Sequence, residues 1–313
     1  MLLSMIELLI YAMLNYFSFD FLPQSLEPSE IDFLSSFVPA AVPLQYSGAI
    51  APVFTNIQDR AIFARDLNSG KTLFARNIDT ALPVASLTKL MTAHLILREH
   101  DLDELVMVSP LATRVAGARI GLYGYEKLRV RDLLSATLIA SANDAALALA
   151  IFNAGSEQEF AKKMNDESRK LGFNGSKFNP ENSAKFFNAT GLDMIDSDGN
   201  LYGNRMSIRD LEILVKNLLK NDFFRETVSK EVVSISSVNE KFTHSKKSTN
   251  KLLGTFLNLK GIKTGFTPFA KECFVSLGER GEAEILTIVL GSDSRFVQTK
   301  ILLSWIYDSF LWR

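Results

Sequence analysis

Cysteine is almost absent: Cys273 stands alone in 313 residues. One thiol makes no intrachain disulfide and no cysteine-rich zinc site. Histidine is nearly as scarce, with only the scattered His94, His100 and His244, and there is no His-Glu-x-x-His pair of zinc ligands. Neither Gly-x-Gly-x-x-Gly nor Gly-x-Ser-x-Gly occurs, which removes the dinucleotide fingerprint and the nucleophile elbow. The formal net charge is -1 and no dense Lys/Arg run exists, so nothing offers an electrostatic footprint for nucleic acid. No internal repeat is evident. No metal, no cofactor and no nucleic-acid partner is expected.

Basic residues are missing altogether from the first 59 positions. Residues 1–22 are apolar but interrupted by Glu7 and Asp20, and the run between those acids is short for a bilayer span. The segment suits the apolar part of an export signal or a membrane anchor, without the usual basic start. A start site placed too late, or an amphipathic extension kept on the protein, are the other readings. Residues 23–57 hold several prolines and few charges and read as a linker. Residues 58–313 are expected to form the main folded domain, which is long enough to bury a substantial core.

What is present begins with a hairpin. Two short apolar runs, Arg60 to Leu67 and Thr72 to Arg76, flank the turn former Asn68-Ser69-Gly70. Pro83 precedes a helix from Ser86 to about Arg98 with little polar face, hence buried on most sides. A helix near Val130 to Ala140 stops at Ser141-Ala142-Asn143-Asp144, and another resumes through Ala145 to Phe152. Glu157 to Leu171 is amphipathic and closed by Gly172. The segment from Asn179 to Asn204 is rich in Asn, Asp and Gly and reads as a long surface loop. Within it, Asp196-Ser197-Asp198-Gly199-Asn200 lacks the register and closing Glu of a calcium loop and reads as a solvated turn. Ser207-Ile208-Arg209-Asp210 is close to a capping box opening a helix to about Leu219. Leu259 to Thr264, Glu272 to Leu277 and Glu284 to Leu290 look like adjacent strands, before a last helix from about Arg295 to Phe310. With strands at both ends of the sequence around a helical middle, the expected fold class is α+β: an antiparallel sheet built from both termini and packed on helices.

Three strings carry chemistry: Ser86-Leu87-Thr88-Lys89, Ser141-Ala142-Asn143 and Lys263-Thr264-Gly265, in that order and 55 and 122 residues apart. Ser86 and Lys89 lie one helical turn apart on one face. A serine needs a base to take its proton, and a lysine serves only if burial and nearby cations lower its pKa toward neutrality. A helix N-terminus also offers free backbone N–H groups to an oxyanion. Ser141 can relay a proton between Lys89 and a leaving amine. Asn143 can hold Lys89 and bind a substrate amide. Lys263 and Thr264 point to opposite faces of an ideal strand, so a twist or bulge has to bring both to one site, where they can bind a terminal carboxylate. Gly265 permits close approach. Alone, each string has an ordinary explanation: an N-cap serine with a surface lysine, a helix junction with a capping asparagine, a charged strand end. Their ordered coincidence favours acyl transfer.

That ordered set resembles the serine penicillin-binding proteins and serine β-lactamases. A longer collinear match, from roughly Arg60 to Trp305, resembles the low-molecular-mass penicillin-binding proteins, the serine-type D-alanyl-D-alanine carboxypeptidases of peptidase family S11. It includes Arg65-Asp66-Leu67-Asn68-Ser69-Gly70-Lys71, Leu82 to Ala93 around Ser86, Arg131-Asp132-Leu133-Leu134 leading into Ser141 to Ala146, Met164-Asn165, Leu171-Gly172, Gly191-Leu192-Asp193 and Ser248 to Leu253.

The resemblance implies a β-lactamase/transpeptidase-like fold. It also implies an enzyme exported to the periplasm or the outer face of the cytoplasmic membrane. Its partners would be peptidoglycan stem peptides ending in D-Ala-D-Ala, with β-lactams as covalent inhibitors and a membrane tether through residues 1–22. Ser86 would form the acyl-enzyme, Lys89 would accept its proton, and the N–H groups of Ser86 and Phe266 would make the oxyanion hole. Ser141, Asn143 and Lys263 would order the site and move the proton, with Thr264 on the terminal carboxylate.

The chain departs from the family at Ala270-Lys271, where Ala-Gly is usual, and at an insertion near Glu181 to Phe187. A D,D-endopeptidase acting on cross-links uses the same residues. A class A β-lactamase would need a deacylating carboxylate, for which Glu181 is the nearest fit, without the Glu-x-x-x-Asn pattern. A catalytically silent binding module would be expected to have lost a motif residue, and none is lost.

Overall fold

A computed structural model describes residues 61–173, 183–238, 240–255 and 257–310. The readings made for residues 1–22, for the linker and for Glu181 lie outside the described residues.

The hairpin expected at the start is present as β1 (Ala61–Asp66) and β2 (Thr72–Arg76). The short strand β3 (Leu82–Pro83) leads to a single 3-10 turn, Ala85–Leu87, and helix α1 (Thr88–Glu99). A two-strand ribbon follows, β4 (Leu105–Met107) with β5 (Lys127–Arg129). Next come α2 (Val130–Ile139), α3 (Asn143–Ala154) and α4 (Glu157–Lys170). Three very short strands, β6 (Met194–Ile195), β7 (Leu201–Tyr202) and β8 (Arg205–Met206), precede α5 (Ile208–Leu218) and α6 (Asp222–Val228). The chain ends in the hairpin β9 (Val232–Ser236) and β10 (Thr243–Lys247), then β11 (Leu259–Thr267), β12 (Lys271–Arg280), β13 (Ala283–Ser292) and α7 (Arg295–Ser309).

The main sheet has the order β11-β12-β13-β1-β2 and is antiparallel throughout. Strands from both ends of the sequence meet where β1 pairs with β13, Ala61 opposite Leu290 and Asp66 opposite Ile285. The α+β class follows. Period-two alternation sorts each strand between two cores. Ile62, Ala64, Phe274, Ile285 and Val289 pack with Leu302, Leu303 and Ile306 of α7. Ala61, Phe63, Val275, Leu286, Ile288 and Leu290 join the larger core of the helical region. A sheet covered on both faces explains why β12 and β13 read as nearly continuous apolar runs.

Helix α1 occupies the middle of that larger core. Thr88 to Ala93, Leu95 and Ile96 are all buried. A helix apolar around most of its girth has to be enclosed, and α1 packs against α2, α3, α4 and α5. The capping box at Ser207 is complete: Ser207 Oγ accepts the Asp210 N–H at 3.1 Å, and Asp210 Oδ2 accepts the Ser207 N–H at 2.8 Å.

The segment read as a surface loop is only partly one. Around Asp196 it is an exposed turn, with the Asp196 carboxylate accepting N–H groups of Asp198 and Asn200. Asn188, Ala189, Thr190, Gly191 and Asn204, however, are buried. Asn188 Oδ1 accepts the N–H groups of Thr190 and Gly191, and Asn204 Nδ2 donates to the Asn188 carbonyl and to Thr88 Oγ1. Asparagines that satisfy backbone groups internally have the same composition as solvated ones, so composition misreads them.

Candidate functional site

Ser86 sits on the 3-10 turn, ahead of the helix rather than at its first position as expected. The residue before it, Ala85, has φ 47°, an uncommon backbone for a residue with a side chain. The following turn of α1 carries Lys89 inward, fully buried. Lys89 Nζ donates to Ser86 Oγ at 3.1 Å, to Asn143 Oδ1 at 2.7 Å and to the Thr190 carbonyl at 2.6 Å. An ammonium has three protons, and three acceptors meet them. A neutral amine in the same place keeps two donors and turns its lone pair toward one neighbour. Ser86 Oγ is the only one of the three with a proton to give.

Burial pulls Lys89 down from 10.5 to about 7, and the negative charges of Asp144 and Glu157 limit the fall. The amine is therefore poised between donor and acceptor near neutral pH.

Asn143 opens α3, with Ala142 rather than Asn143 at the capping position. Its Nδ2 donates to the Ala116 carbonyl at 2.7 Å, leaving Oδ1 turned to Lys89. Next to it, the buried Asp144 carboxylate accepts the N–H groups of Ile120, Gly121 and Leu122, which ties that loop to the start of the helix. Ser141, also buried, sits between α2 and α3 at φ 57°. It is not among the three hydrogen-bond partners of Lys89.

The third string lies on β11. The only register irregularity between β11 and β12 lies earlier, between Leu259 and Ile262; Lys263 and Thr264 pair regularly with Val275 and Phe274, and both are buried. Lys263 Nζ donates to the Thr264 carbonyl at 2.9 Å. Burial, then the positive charges of Lys89 and Arg295, hold Lys263 well below the ordinary lysine range. Thr264 Oγ1 and Thr249 Oγ1 are 2.6 Å apart.

Gly265 explains why the strand can reach the nucleophile. A Cβ there would stand 2.9 Å from the Val84 carbonyl oxygen and 3.1 Å from the Ser86 nitrogen. The strand and the 3-10 turn touch backbone to backbone. The Phe266 side chain is exposed.

Several contributors were not assigned a role from sequence. Thr190 lends only its carbonyl. The adjacent Ala189 N–H is held by Glu157 Oε1 at 3.0 Å, and Thr92 Oγ1 donates to the Ala189 carbonyl. Gly191 has φ 82°, and a Cβ on it would collide with the Ala85 carbonyl at 1.9 Å. Arg295, on α7, donates from Nη1 to the Gly265 carbonyl at 2.8 Å. No string flags these groups, since a carbonyl has no residue type and Glu157 reads as an ordinary first-turn acid.

The departure at Lys271 places a lysine at φ 56°. Its side chain turns to Asp293, 3.2 Å away, so the lysine is engaged at the surface. Cys273 is a buried core thiol as expected, pushed up to about 12 by burial.

A buried lysine of near-neutral pKa on a serine, a fixed amide and a second buried lysine are the groups that acyl transfer can use. A family model for peptidase S11, described as D-alanyl-D-alanine carboxypeptidase, matches residues 48–294. The chain is 29% identical over 296 residues to the D-alanyl-D-alanine carboxypeptidase DacF of Bacillus subtilis, covering 88% of this chain and 69% of that one. It is 27% identical to a D-alanyl-D-alanine endopeptidase of Pseudomonas aeruginosa, over 82% of this chain and 79% of that one. Among solved structures it resembles penicillin-binding protein D2 of Listeria monocytogenes in an ampicillin-bound form. There the TM-score is 0.63 and the identity 34%, over 78% of this chain and 95% of that one.

Proposed function

The chain belongs to the peptidase S11 family of D-alanyl-D-alanine carboxypeptidases, and from that premise we propose how its residues carry the reaction. It is a serine-type hydrolase of cell-wall biogenesis that removes the terminal D-alanine from peptidoglycan stem peptides. Ser86 Oγ attacks the carbonyl between the two D-alanines while its proton passes to Lys89 Nζ. Charge on the tetrahedral oxygen is met by the backbone N–H groups of Ser86 and Phe266. The C–N bond breaks, the leaving amine takes a proton through Ser141, and free D-alanine departs. Water then attacks the ester on Ser86 by the same proton route in reverse. Asn143 holds Lys89 and the substrate amide, Lys263 orders the proton network, and Thr264 binds the terminal carboxylate. Gly265 lets β11 lie against the turn that carries Ser86.

The observation that carries this reading is the hydrogen bond of 3.1 Å between Lys89 Nζ and Ser86 Oγ, together with the fall of Lys89 to about 7 on burial. Ser141 reaches the proton path once substrate is bound, since Lys89 spends its three donors elsewhere in the free enzyme. β-Lactams, which mimic D-Ala-D-Ala, acylate the same serine, a reading supported by the ampicillin-bound relative. The substrate lies outside the cytoplasm, so the enzyme acts there, in the periplasm or on the outer face of the cytoplasmic membrane. Residues 1–22, an apolar stretch interrupted by Glu7 and Asp20, are the proposed export signal or tether; among the described residues no helix is long and apolar enough to cross a membrane.

Intact-protein mass spectrometry of the full chain with a penicillin tests the nucleophile. One lasting adduct is expected, absent in Ser86→Ala. Intact protein beside unreacted penicillin refutes the assignment, and rapid penicillin hydrolysis without an adduct points to a β-lactamase. The relatives named endopeptidases favour a second substrate, the cross-linked dimer. D-Alanine release from a pentapeptide set against cleavage of that dimer decides between them.

A further inference from the structure

The insertion flagged in the sequence builds something. Ser183 to Phe187 runs beside β7 and β8, with Lys185 and Arg205 exchanging backbone hydrogen bonds at 3.0 and 2.9 Å. The two strands enclose an open cleft of about 480 Å³ lined by Ser183, Lys185, Phe187, Tyr202 and Arg205. Two cations thus stand directly opposite each other across a β-bridge. Like charges so placed destabilise a ribbon. Among the described residues neither has a carboxylate within ion-pair distance. Each is instead set against an aromatic face: Lys185 Nζ is 5.0 Å from the Phe187 ring centre, and the Arg205 guanidinium is 5.7 Å from that of Phe269. Phe187 and Tyr202 meet edge to face at 4.9 Å, forming an apolar wall.

The cleft adjoins the reaction centre. Arg205 pairs with Pro83, three residues before Ser86, so it lies within about 15 Å of the nucleophile along extended chain. Phe269, beneath the Arg205 guanidinium, sits in the turn that follows the Lys263-Thr264-Gly265 strand. Its N–H is held by Asp193 at 3.1 Å.

We propose that the cleft between Ser183–Phe187 and β7–β8 is a carboxylate-binding subsite, with Lys185 and Arg205 engaging an acidic group on the acyl side of the scissile bond while Phe187 and Tyr202 cover the alkyl chain that bears it. This rests on the carboxypeptidase reading above and extends it to the choice of stem peptide. Two positions on a stem peptide can present such a group: the side chain of the residue preceding D-Ala-D-Ala, as in a diaminopimelyl peptide, or a γ-linked glutamyl residue further upstream.

The test measures peptide binding calorimetrically with the full-chain Ser86→Ala variant, so that affinity is read without turnover. Three peptides ending in D-Ala-D-Ala are compared: diacetyl-lysyl, diaminopimelyl, and γ-glutamyl-lysyl. At least one acidic peptide is expected to bind about tenfold more tightly than the diacetyl-lysyl peptide, and which one identifies the source. Adding Lys185→Gln and Arg205→Gln together is expected to erase that advantage and leave the diacetyl-lysyl affinity unchanged. Lys185→Gln alone, at an exposed position, guards against a folding defect and is expected to lose part of it. Equal affinity for all three peptides overturns the proposal. So does an equal loss for neutral and acidic peptides in Lys185→Gln. Failure of wild-type protein to release D-alanine or to be acylated overturns the carboxypeptidase assignment instead, and the binding comparison still decides the subsite.

Discussion

At the scale of single residues, the site is a problem of charge in a dry place. Lys89 and Lys263 are both enclosed: burial pulls each lysine down, and the positive charge of Lys89 further disfavours protonation of Lys263. Acylation requires Lys89 without its extra proton, so its rate in wild type should rise with pH around a midpoint near 7. Stopped-flow acylation by a chromogenic β-lactam across pH 5 to 9 checks this. Glu157 favours the charged form of Lys89, so Glu157→Gln should move the midpoint to lower pH. The same variant loosens the hold on Ala189, whose neighbour Thr190 accepts a hydrogen bond from Lys89, so a several-fold fall in the limiting rate should accompany the shift. A fall in rate with an unmoved midpoint would deny Glu157 its electrostatic part. A stability consequence follows as well. Lys89 is depressed in the folded state, so the unfolded chain binds more protons between about 7 and 10.5, and stability gains with rising pH. Melting curves should show wild type gaining on Lys89→Met as pH rises from 7 to 9.5.

Elements hold these residues through backbone contacts that admit no side chain. Gly191 shows this best, with left-handed φ and a carbonyl where its Cβ would be. Gly191→Ala should cost several kcal/mol, about 3 or more, and displace the Ser86 turn, read as a lower denaturation midpoint together with lost acylation. The cap of α5 offers the contrast. Ser207→Ala removes one oxygen from a complete capping box and should cost about 1 kcal/mol with acylation unchanged. The elements themselves were largely legible in the sequence. The first hairpin, the two helices around Ser141, the capping box and the three late strands each carry a local signal of period or punctuation. The buried half of the 183–204 segment was not legible, because Asn188 and Asn204 acquire their partners only when Thr88 and the loop backbone are brought to them.

Across the whole molecule, the sheet joins the two ends of the catalytic region. β1 is completed by β13, more than 200 residues later in the chain. Pairing so remote in sequence is entropically slow to form, while its centre, once formed, is covered on both faces. Hydrogen exchange should therefore be slowest in β1, β12 and β13, and faster in the edge strand β2. Equal protection across all five strands would contradict this picture. The proposed carboxylate-binding subsite belongs to this scale too, since its two cations are set opposite each other by the β-bridge between Lys185 and Arg205.

Sequence by itself determined the class of chemistry, the α+β architecture and the three motif strings, because these depend on residue type, order and local period. Tertiary structure decided what makes them a site. Burial, not residue type, brings Lys89 to about 7, and a carbonyl at Thr190 and a carboxylate at Glu157 complete its surroundings from other elements. Gly265 meets Ser86 only when β11 folds back beside the turn that precedes α1. Desolvation and backbone contact are properties of neighbours in space, and a linear pattern holds no record of them.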